Sequence, residues 1–568
     1  MRAAAAVVVR RGGYPQVEPR AAGLMDAGVT VVPATLTVGE AQRAAARRSA
    51  VVAARVGRSW AVADRETLGR ARRLGLEDAP LGAVLWDAPA VAAGASEIDV
   101  RRRLGPAHPF VLVVDTGSPV GVVVRDPASR RALPLSARQR LMRLPAPLPG
   151  WLERAGALGD AARARVAVVG GLVRDLFRDR VAACVDVDLV VEGSAPAVAR
   201  RLAGALGGRA VEHPAFLTAT VELPDGRRLD LATARRERYR APGALPDVEP
   251  ATLADDLARR DFALNAVAIR LDADRWGEVV DVVDGLADLR ARRLRVLHPL
   301  SFVEDPTRVF RAARFAARLG CTLERTTARL ARHATALRVY DALSGDRLRA
   351  ELLLALAEPD PVAVLVGTAR LGAWRLVVPG ARTDGRVVRR LATALRDRAG
   401  LAPETVLALA VLAVADGPAA AEAGAARLAL SPGARAAVRR AGSAAPGIVA
   451  ALRGVSSAGR AYASLAGTPE LDAAWARVLA GGGRAARYLD RYLREWRALR
   501  PLATGADVGA LGVPPGPAVG RLLRELLAAQ AAGRVRRRPD ALRWLRTAIG
   551  RKAAEPGAEL TRSGQRGG

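Results

Sequence analysis

Residues 166–193, VAVVGGLVRDLFRDRVAACVDVDLVVEG, constrain the chain more than any other stretch. A short apolar run ends in Gly170-Gly171, a helix-like LVRDLFRD follows, and a second apolar run carries Asp186 and Asp188 one residue apart. In a strand, residues i and i+2 share a face. The spacing therefore sets Asp186 and Asp188 side by side, with Val185, Val187 and Leu189 on the opposite face. Two adjacent carboxylates repel unless a cation lies between them, and hard oxygen donors suit Mg²⁺. Glycines where the first strand turns into a helix let backbone approach a phosphate, toward which the helix start directs free N–H groups. Arg174, one turn in, faces the same group. A phosphate cradle beside a carboxylate pair points to phosphoryl or nucleotidyl transfer. In such sites two metal ions about 4 Å apart activate the attacking hydroxyl and stabilise the leaving pyrophosphate. Asp230, in GRRLDLATARRERY after the turn PDGR, supplies a third carboxylate from a neighbouring strand, as ligand or as general base toward an incoming 3′-hydroxyl.

At 568 residues the chain exceeds what one core supports, so three or four folded units are expected. It holds 88 Lys+Arg against 57 Asp+Glu, a net +31, and Lys552 is its single lysine. An Ala-, Arg-, Gly- and Val-heavy composition accounts for arginine in place of lysine but not for the excess charge, which suits a nucleic-acid partner. Cys184 and Cys321 are too few for a disulfide framework or a thiolate metal site, and a reducing cytoplasm is the expected compartment. His108, His213, His298 and His333 lack the i, i+4 spacing of a zinc helix. The opening MRAAAAVVVRRGGYP reverses the order of a secretory signal, and no run reaches the roughly 18 apolar residues of a spanning helix.

After an N-terminal segment (1–22), residues 23–130 contain two similar passages. Each reads as an entry segment, a short extended piece, a helix opened by a polar residue, and a strand pair around a turn. This pattern resembles a tandem pair of cystathionine-β-synthase (CBS) domains, which implies an α/β module binding an adenosyl nucleotide between its halves. That family places Ser or Thr and then an acidic residue after the second strand. Here the matching stretches read Ala63-Asp64-Arg65-Glu66-Thr67 and Val123-Val124-Arg125-Asp126-Pro127 and depart from the pattern. A proline-rich linker (131–150) leads to alternating strands and helices (151–290). From about 301 to 545 apolar residues recur at three- and four-residue spacing, as in ETVLALAVLAVAD, so helices dominate. Trp475, Trp496 and Trp544 fall at helical spacing among apolar residues and read as core. The polar tail 551–568 is expected to be disordered.

Gly170-Gly171-Leu172-Val173-Arg174-Asp175, Asp186-Val187-Asp188, ATARRERY, DDLARRDFALNAVAI (255–269), the run 281–320 and SGDRLRAELL (344–353) succeed one another. Their order resembles the motif series of class II tRNA nucleotidyltransferases and bacterial poly(A) polymerases, members of the DNA polymerase β-like superfamily. The resemblance implies a multidomain α+β protein: the CBS-pair module, a head with a mixed sheet and helices (151–290), and an all-α neck (291–375), body and tail (376–550). It implies that Asp186 and Asp188 hold catalytic Mg²⁺, that Gly170, Gly171, Arg174 and Asp175 meet the nucleotide phosphates, and that Arg260, Asp261 and Asn265 meet the sugar. Asp305 and Arg308, three apart and so read as one helix face, would bind the base edge, one acceptor and one forked donor matching cytosine and adenine. Arg311 and Arg314 continue that face. The expected reaction adds or repairs the tRNA 3′-CCA end from CTP and ATP. Addition of the terminal A alone or of poly(A) is the alternative within the family, and a non-catalytic RNA-binding protein the alternative outside it. CC-only addition is disfavoured, because 240–254 supplies the flexible loop that CC-only enzymes tend to lack. No Asp-His-His motif accompanies the repeats, and no phosphodiesterase activity is expected.

Overall fold

The structure is a computed structural model and describes residues 20–553 except 27, 46–48, 126–135, 182–185, 379, 383 and 397–399. Val185, Cys184 and the expected disordered tail beyond 553 lie outside the described residues. The chain forms two compact units, Met1–Ser344 with Leu371–Ala373, and Gly345–Arg370 with Trp374–Gly568.

In the first unit the two N-terminal passages form two β-α-β-β repeats. In the first, strand Gly28–Val31 pairs parallel with Ser49–Val56, which runs antiparallel to Ser59–Asp64. In the second, Ala90–Ala92 pairs parallel with Phe110–Asp115, which runs antiparallel to Ser118–Val124. Strand Trp86–Ala88 closes the first sheet on Ser59–Asp64. Thr37 and Glu40 form a capping box at the first repeat helix, and Ser96 caps its counterpart. The expected linker carries a helix, Arg138–Met142, and the helix Leu148–Ala161 begins inside it.

Seven strands make the central sheet, in the spatial order Arg209–His213, Thr218–Glu222, Arg228–Thr233, Val187–Glu192, Arg165–Val169, Val267–Arg270, Val279–Asp281. Only Arg228–Thr233 and Val187–Glu192 pair in parallel. Alternation sorts each strand between two cores. Val187, Leu189, Val191, Val166 and Val168 pack with helices Leu148–Ala161 and Ala195–Leu206. Val190, Ala167 and Val169 face Leu253, Leu257, Ala263 and Ala266 on the other side. Asp188 shares this second face, under the segment that carries Arg260, Asp261 and Asn265. A sheet buried on both faces explains why the run reads as continuously apolar.

Segment 240–254 is a loop only in part, with no helix or strand over 240–246 and regular structure after it. Arg235–Arg238 and Asp247–Pro250 form an antiparallel ribbon, and a Thr252/Asp255 capping box starts helix Leu253–Ala258. The remainder of this unit is mostly helical, including Ser301–Glu304, Arg308–Leu319 and Arg325–Ala336.

Helices make up the second unit. In the nearly all-apolar helix Pro403–Val414 the first turn is exposed and Val406 through Val414 are enclosed. Trp475 and Trp496 are buried as expected, and Trp544 packs against the cluster around Leu526 and Leu545. Among the described residues no helix is long and apolar enough to cross a membrane.

Candidate active site

Asp188 stands at the second position of its strand, directly opposite Val169 on one side and Asp230 on the other. The parallel pairing therefore brings two carboxylates from strands about forty residues apart in sequence onto neighbouring positions. Asp186 lies one residue ahead of the strand Val187–Glu192 rather than inside it, which corrects the expectation of a strictly alternating pair. It remains close enough to act on Asp188. Burial, opposed by Arg260 and reinforced by Asp230 and Asp186, pushes the Asp188 carboxyl up to about 6. The Thr220 hydroxyl donates to Asp230 Oδ1 at 2.6 Å.

Gly170 begins helix Gly170–Leu176 with φ +73°, and an added Cβ there would lie 2.8 Å from Asp188 Oδ2. Glycine is required twice over, for the left-handed backbone and for the contact. No side chain caps this helix start.

From Arg174 a chain of polar contacts crosses the site. Its Nε and Nη2 donate to the two oxygens of Asp175 (2.9 and 2.8 Å), and Nη1 donates to Asn265 Oδ1 (3.0 Å). Asn265 Nδ2 donates to Asp261 Oδ1 (3.2 Å), and Asp261 Oδ2 accepts both Nε (3.0 Å) and Nη2 (2.8 Å) of Arg311. Burial raises the Asp261 carboxyl, but Arg311, Arg308 and the Asn265 amide together outweigh it and hold the group below the ordinary aspartate range. Arg260 is paired with the buried Asp256 (3.0 Å). The Phe315 ring gathers three guanidinium groups, those of Arg174, Arg311 and Arg314, within 5.2–5.7 Å of its centroid. Such contacts hold cations close without neutralising them. The structure thus unites Gly170, Asp188, Arg174, Asp175, Arg260, Asp261, Asn265, Arg311 and Arg314 around one face of the sheet.

Asp305 and Arg308 do not share a helix. Asp305 ends helix Ser301–Glu304 in extended conformation (φ −131°), and the next helix starts at Arg308. Pro306 accounts for this, because it disfavours helical backbone in the residue before it and offers no N–H of its own. Asp305 Oδ1 accepts from the Thr307 amide (3.1 Å) and hydroxyl (2.6 Å). Arg308 is buried and donates from Nη1 to Ser301 Oγ (2.8 Å) and from Nη2 to the Arg259 carbonyl (3.1 Å). The Asp305 carboxylate acts on the Arg308 guanidinium across a joint between two helices instead of along one helix.

Sequence reasoning missed a supporting layer. Glu237 receives Arg259 (2.6 Å) and the Tyr239 hydroxyl (3.0 Å), and Arg259 in turn offers its carbonyl to Arg308. Burial raises the Tyr239 phenol well above its usual range. In the strand Arg235–Arg238 Glu237 is the one acidic residue among three arginines, and strand alternation sets it with Arg235 on the less exposed face, the signal in the sequence that marks it. Glu304, 5% exposed at its side chain, is likewise buried and was not singled out. Among the described residues no three His, Cys, Asp or Glu side chains gather in metal-holding geometry. The donor set is a carboxylate pair with Asp230 beside it.

A mixed sheet with this turn, this aspartate pair and the helices that follow defines a nucleotidyltransferase-like head. The model of the poly A polymerase head domain matches residues 166–295. The CC-adding tRNA nucleotidyltransferase of Deinococcus radiodurans is 40% identical over 387 residues, which span 68% of this chain and 90% of that protein. The chain belongs to the tRNA nucleotidyltransferase family. The A-adding tRNA nucleotidyltransferase of Geobacter sulfurreducens is 43% identical over 236 residues, 42% of this chain, but the match spans only 27% of that longer protein. The solved structure of the Thermotoga maritima CCA-adding enzyme complexed with tRNA superposes with a TM-score of 0.61 at 26% identity, covering 73% of this chain and 99% of that one.

Proposed function

We propose that this protein adds nucleotides to the 3′ end of tRNA, building or repairing CCA from CTP and ATP without a nucleic-acid template. The observation that carries the reading is the register of Asp188 against Asp230 with Gly170 in contact, since it joins a carboxylate pair to a helix start that no side chain caps. Relatives named for CC and A addition, and a solved relative bound to tRNA, support the substrate class.

The residues divide the work. Asp186 and Asp188 offer hard oxygen donors, and a raised carboxyl beside two other carboxylates is a site that a divalent cation relieves. Mg²⁺ fits this donor set, because it binds through one or two carboxylates and completes its shell with water and substrate phosphates. When bound, it would supply charge neutralisation at the reacting phosphate. The amides of Gly170 and Gly171 and the cation cluster of Arg174, Arg311 and Arg314 receive the triphosphate, with Asp175 fixing Arg174. Asp261, held by Asn265 and Arg311, and Arg260 line the sugar. Asp305 and Arg308 present an acceptor and a fork to the base edge. The RNA 3′-oxygen bonds to the α-phosphorus, the bond to the bridging oxygen breaks, pyrophosphate leaves, and Asp230 takes the hydroxyl proton.

A narrower reading is partial addition, of CC or of A alone, and the names of the two relatives favour it. The N-terminal repeats fit a CBS-type module for an adenosyl nucleotide in strand and helix order. Asp64, however, is occupied in capping its helix through the Thr67 amide (2.7 Å), and Asp126 lies outside the described residues.

The test supplies Mg²⁺ and tRNA transcripts ending before CCA, after C and after CC, with CTP, ATP or both, and resolves products at single-nucleotide resolution. Extension of all three to CCA and no further bears the proposal out. A single A on the CC-ended tRNA alone selects A addition, and CC without A selects CC addition. Long A tails select a poly(A) polymerase, and no incorporation overturns the proposal.

A further inference from the structure

The N-terminal repeats are anchored to the helices behind the base-reading joint. Arg329, on Arg325–Ala336, donates to the carbonyls of Gly82 (2.9 Å) and Leu85 (2.8 Å) and to Asp87 Oδ1 (2.8 Å). His333 lies against Gly82, where an added Cβ would come 3.3 Å from its ring. From the repeat helix Arg65–Arg73, Arg70 Nη2 donates to Glu304 Oε1 at 2.5 Å. Glu304 directly precedes Asp305, and its carbonyl accepts the Gly243 amide (3.1 Å).

Three other groups face this carboxylate. His298 Nε2 stands 3.6 Å away, and burial together with Arg70 and Arg308 pulls its pKa far down, so it contributes no charge. Glu237 repels it, and Arg308 attracts it. Arg70 is thus the one cation in direct contact among the described residues. Burial already pushes the Glu304 carboxyl up against the pull of Arg70, and a buried carboxylate stripped of its cation takes up a proton or draws in the nearest remaining cation. Here that is Arg308, whose fork is otherwise fixed on Ser301 and the Arg259 carbonyl.

We propose that Arg70, contributed by the first N-terminal repeat, is a positioning residue for nucleotide selection: by neutralising Glu304 it leaves Arg308 on Ser301 and Arg259, and so keeps the Asp305–Arg308 pair set for the incoming base. The inference rests on the nucleotidyl-transfer reading for its activity readout, and it makes the repeats part of the selection machinery.

The test uses the full chain and the variants Arg70→Ala, Arg70→Lys, Glu304→Gln and Arg70→Ala/Glu304→Gln. The readouts are kcat/KM for ATP and CTP against GTP and UTP on one RNA, RNA affinity at fixed salt, and direct binding of each nucleotide. Arg70→Ala is expected to lower the ratio of correct to incorrect nucleotides by about 10- to 100-fold, the worth of one charged hydrogen bond. RNA affinity should change less than about twofold, because the Arg70 guanidinium is engaged by the buried Glu304 carboxylate. Arg70→Lys keeps the charge and most of the ratio. With Glu304→Gln no buried charge needs a partner, so adding Arg70→Ala to that background should move the ratio less than about threefold. An equal loss for all four nucleotides, or no rescue by Glu304→Gln, overturns the proposal. If Arg70→Ala does not fold, Arg70→Gln, which removes the charge but keeps a donor, takes its place: a loss of the ratio that Glu304→Gln relieves supports the proposal, and an unchanged ratio overturns it. If the wild type incorporates nothing, the functional reading fails separately, and the proposal stands or falls on whether Arg70→Ala blunts discrimination in nucleotide binding.

Discussion

Asp188→Asn should make the protein more stable while removing its activity. The Asp188 carboxyl moves from 3.8 to about 6 on folding, first because it is buried and then because Asp230 and Asp186 stand beside it against the opposing Arg260 and Arg311. Between those two values the folded state binds more protons than the unfolded one, so stability falls as pH rises through the window. Below about pH 4 both states are protonated and nothing is lost; above about pH 6 the full effect is about 3 kcal/mol. Asparagine does not titrate and escapes it. At about 2 cal/mol/K per residue over about 350 residues, 3 kcal/mol corresponds to about 4 °C in Tm. The assay is thermal unfolding of wild type and Asp188→Asn in chelator at pH 4, 5, 6, 7 and 8. The variant should match wild type at pH 4 and gain up to about 4 °C by pH 7, while Mg²⁺ narrows the gap by stabilising only the wild type. Equal Tm values at every pH, or a variant less stable at pH 7 with native circular dichroism, would refute the reasoning.

Gly170→Ala forces a side chain onto a left-handed backbone and into Asp188 Oδ2; incorporation should fall at least about 100-fold with RNA affinity unchanged, read by single-turnover extension and a binding titration. Asp230→Asn can still accept the Thr220 hydroxyl but no longer a proton, so kcat should drop about 10²- to 10⁴-fold with nucleotide KM nearly constant, measured by steady-state kinetics. Trp496→Ala empties a position that is 2% exposed and stacked on Tyr488, and should destabilise the helical unit by about 3–5 kcal/mol, seen in denaturant unfolding and limited proteolysis, with nucleotide affinity in the first unit retained.

Local chemistry was readable from the sequence by itself. Glycines that turn a strand into a helix, alternation that turns Asp188 away from Val187 and Leu189, and polar caps such as Thr37 and Ser96 all act over a few residues. Their spacing therefore records their geometry. The motif order gave the family, and the sheet and helices lie where the periodicities change. Even at short range one competing rule was missed, since three-residue spacing suggested a shared helix face for Asp305 and Arg308 while Pro306 between them breaks it.

Only the tertiary structure decided which partners the charges take. Asp188 meets Asp230 because two distant strands pair in parallel and in one register. Arg311 is committed to Asp261 fifty residues away, and Arg70 to Glu304 across 234. Arginine can satisfy itself with any nearby carboxylate or carbonyl, and a chain this rich in arginine offers many equivalent choices. Packing selects among them by fixing which groups lose water together.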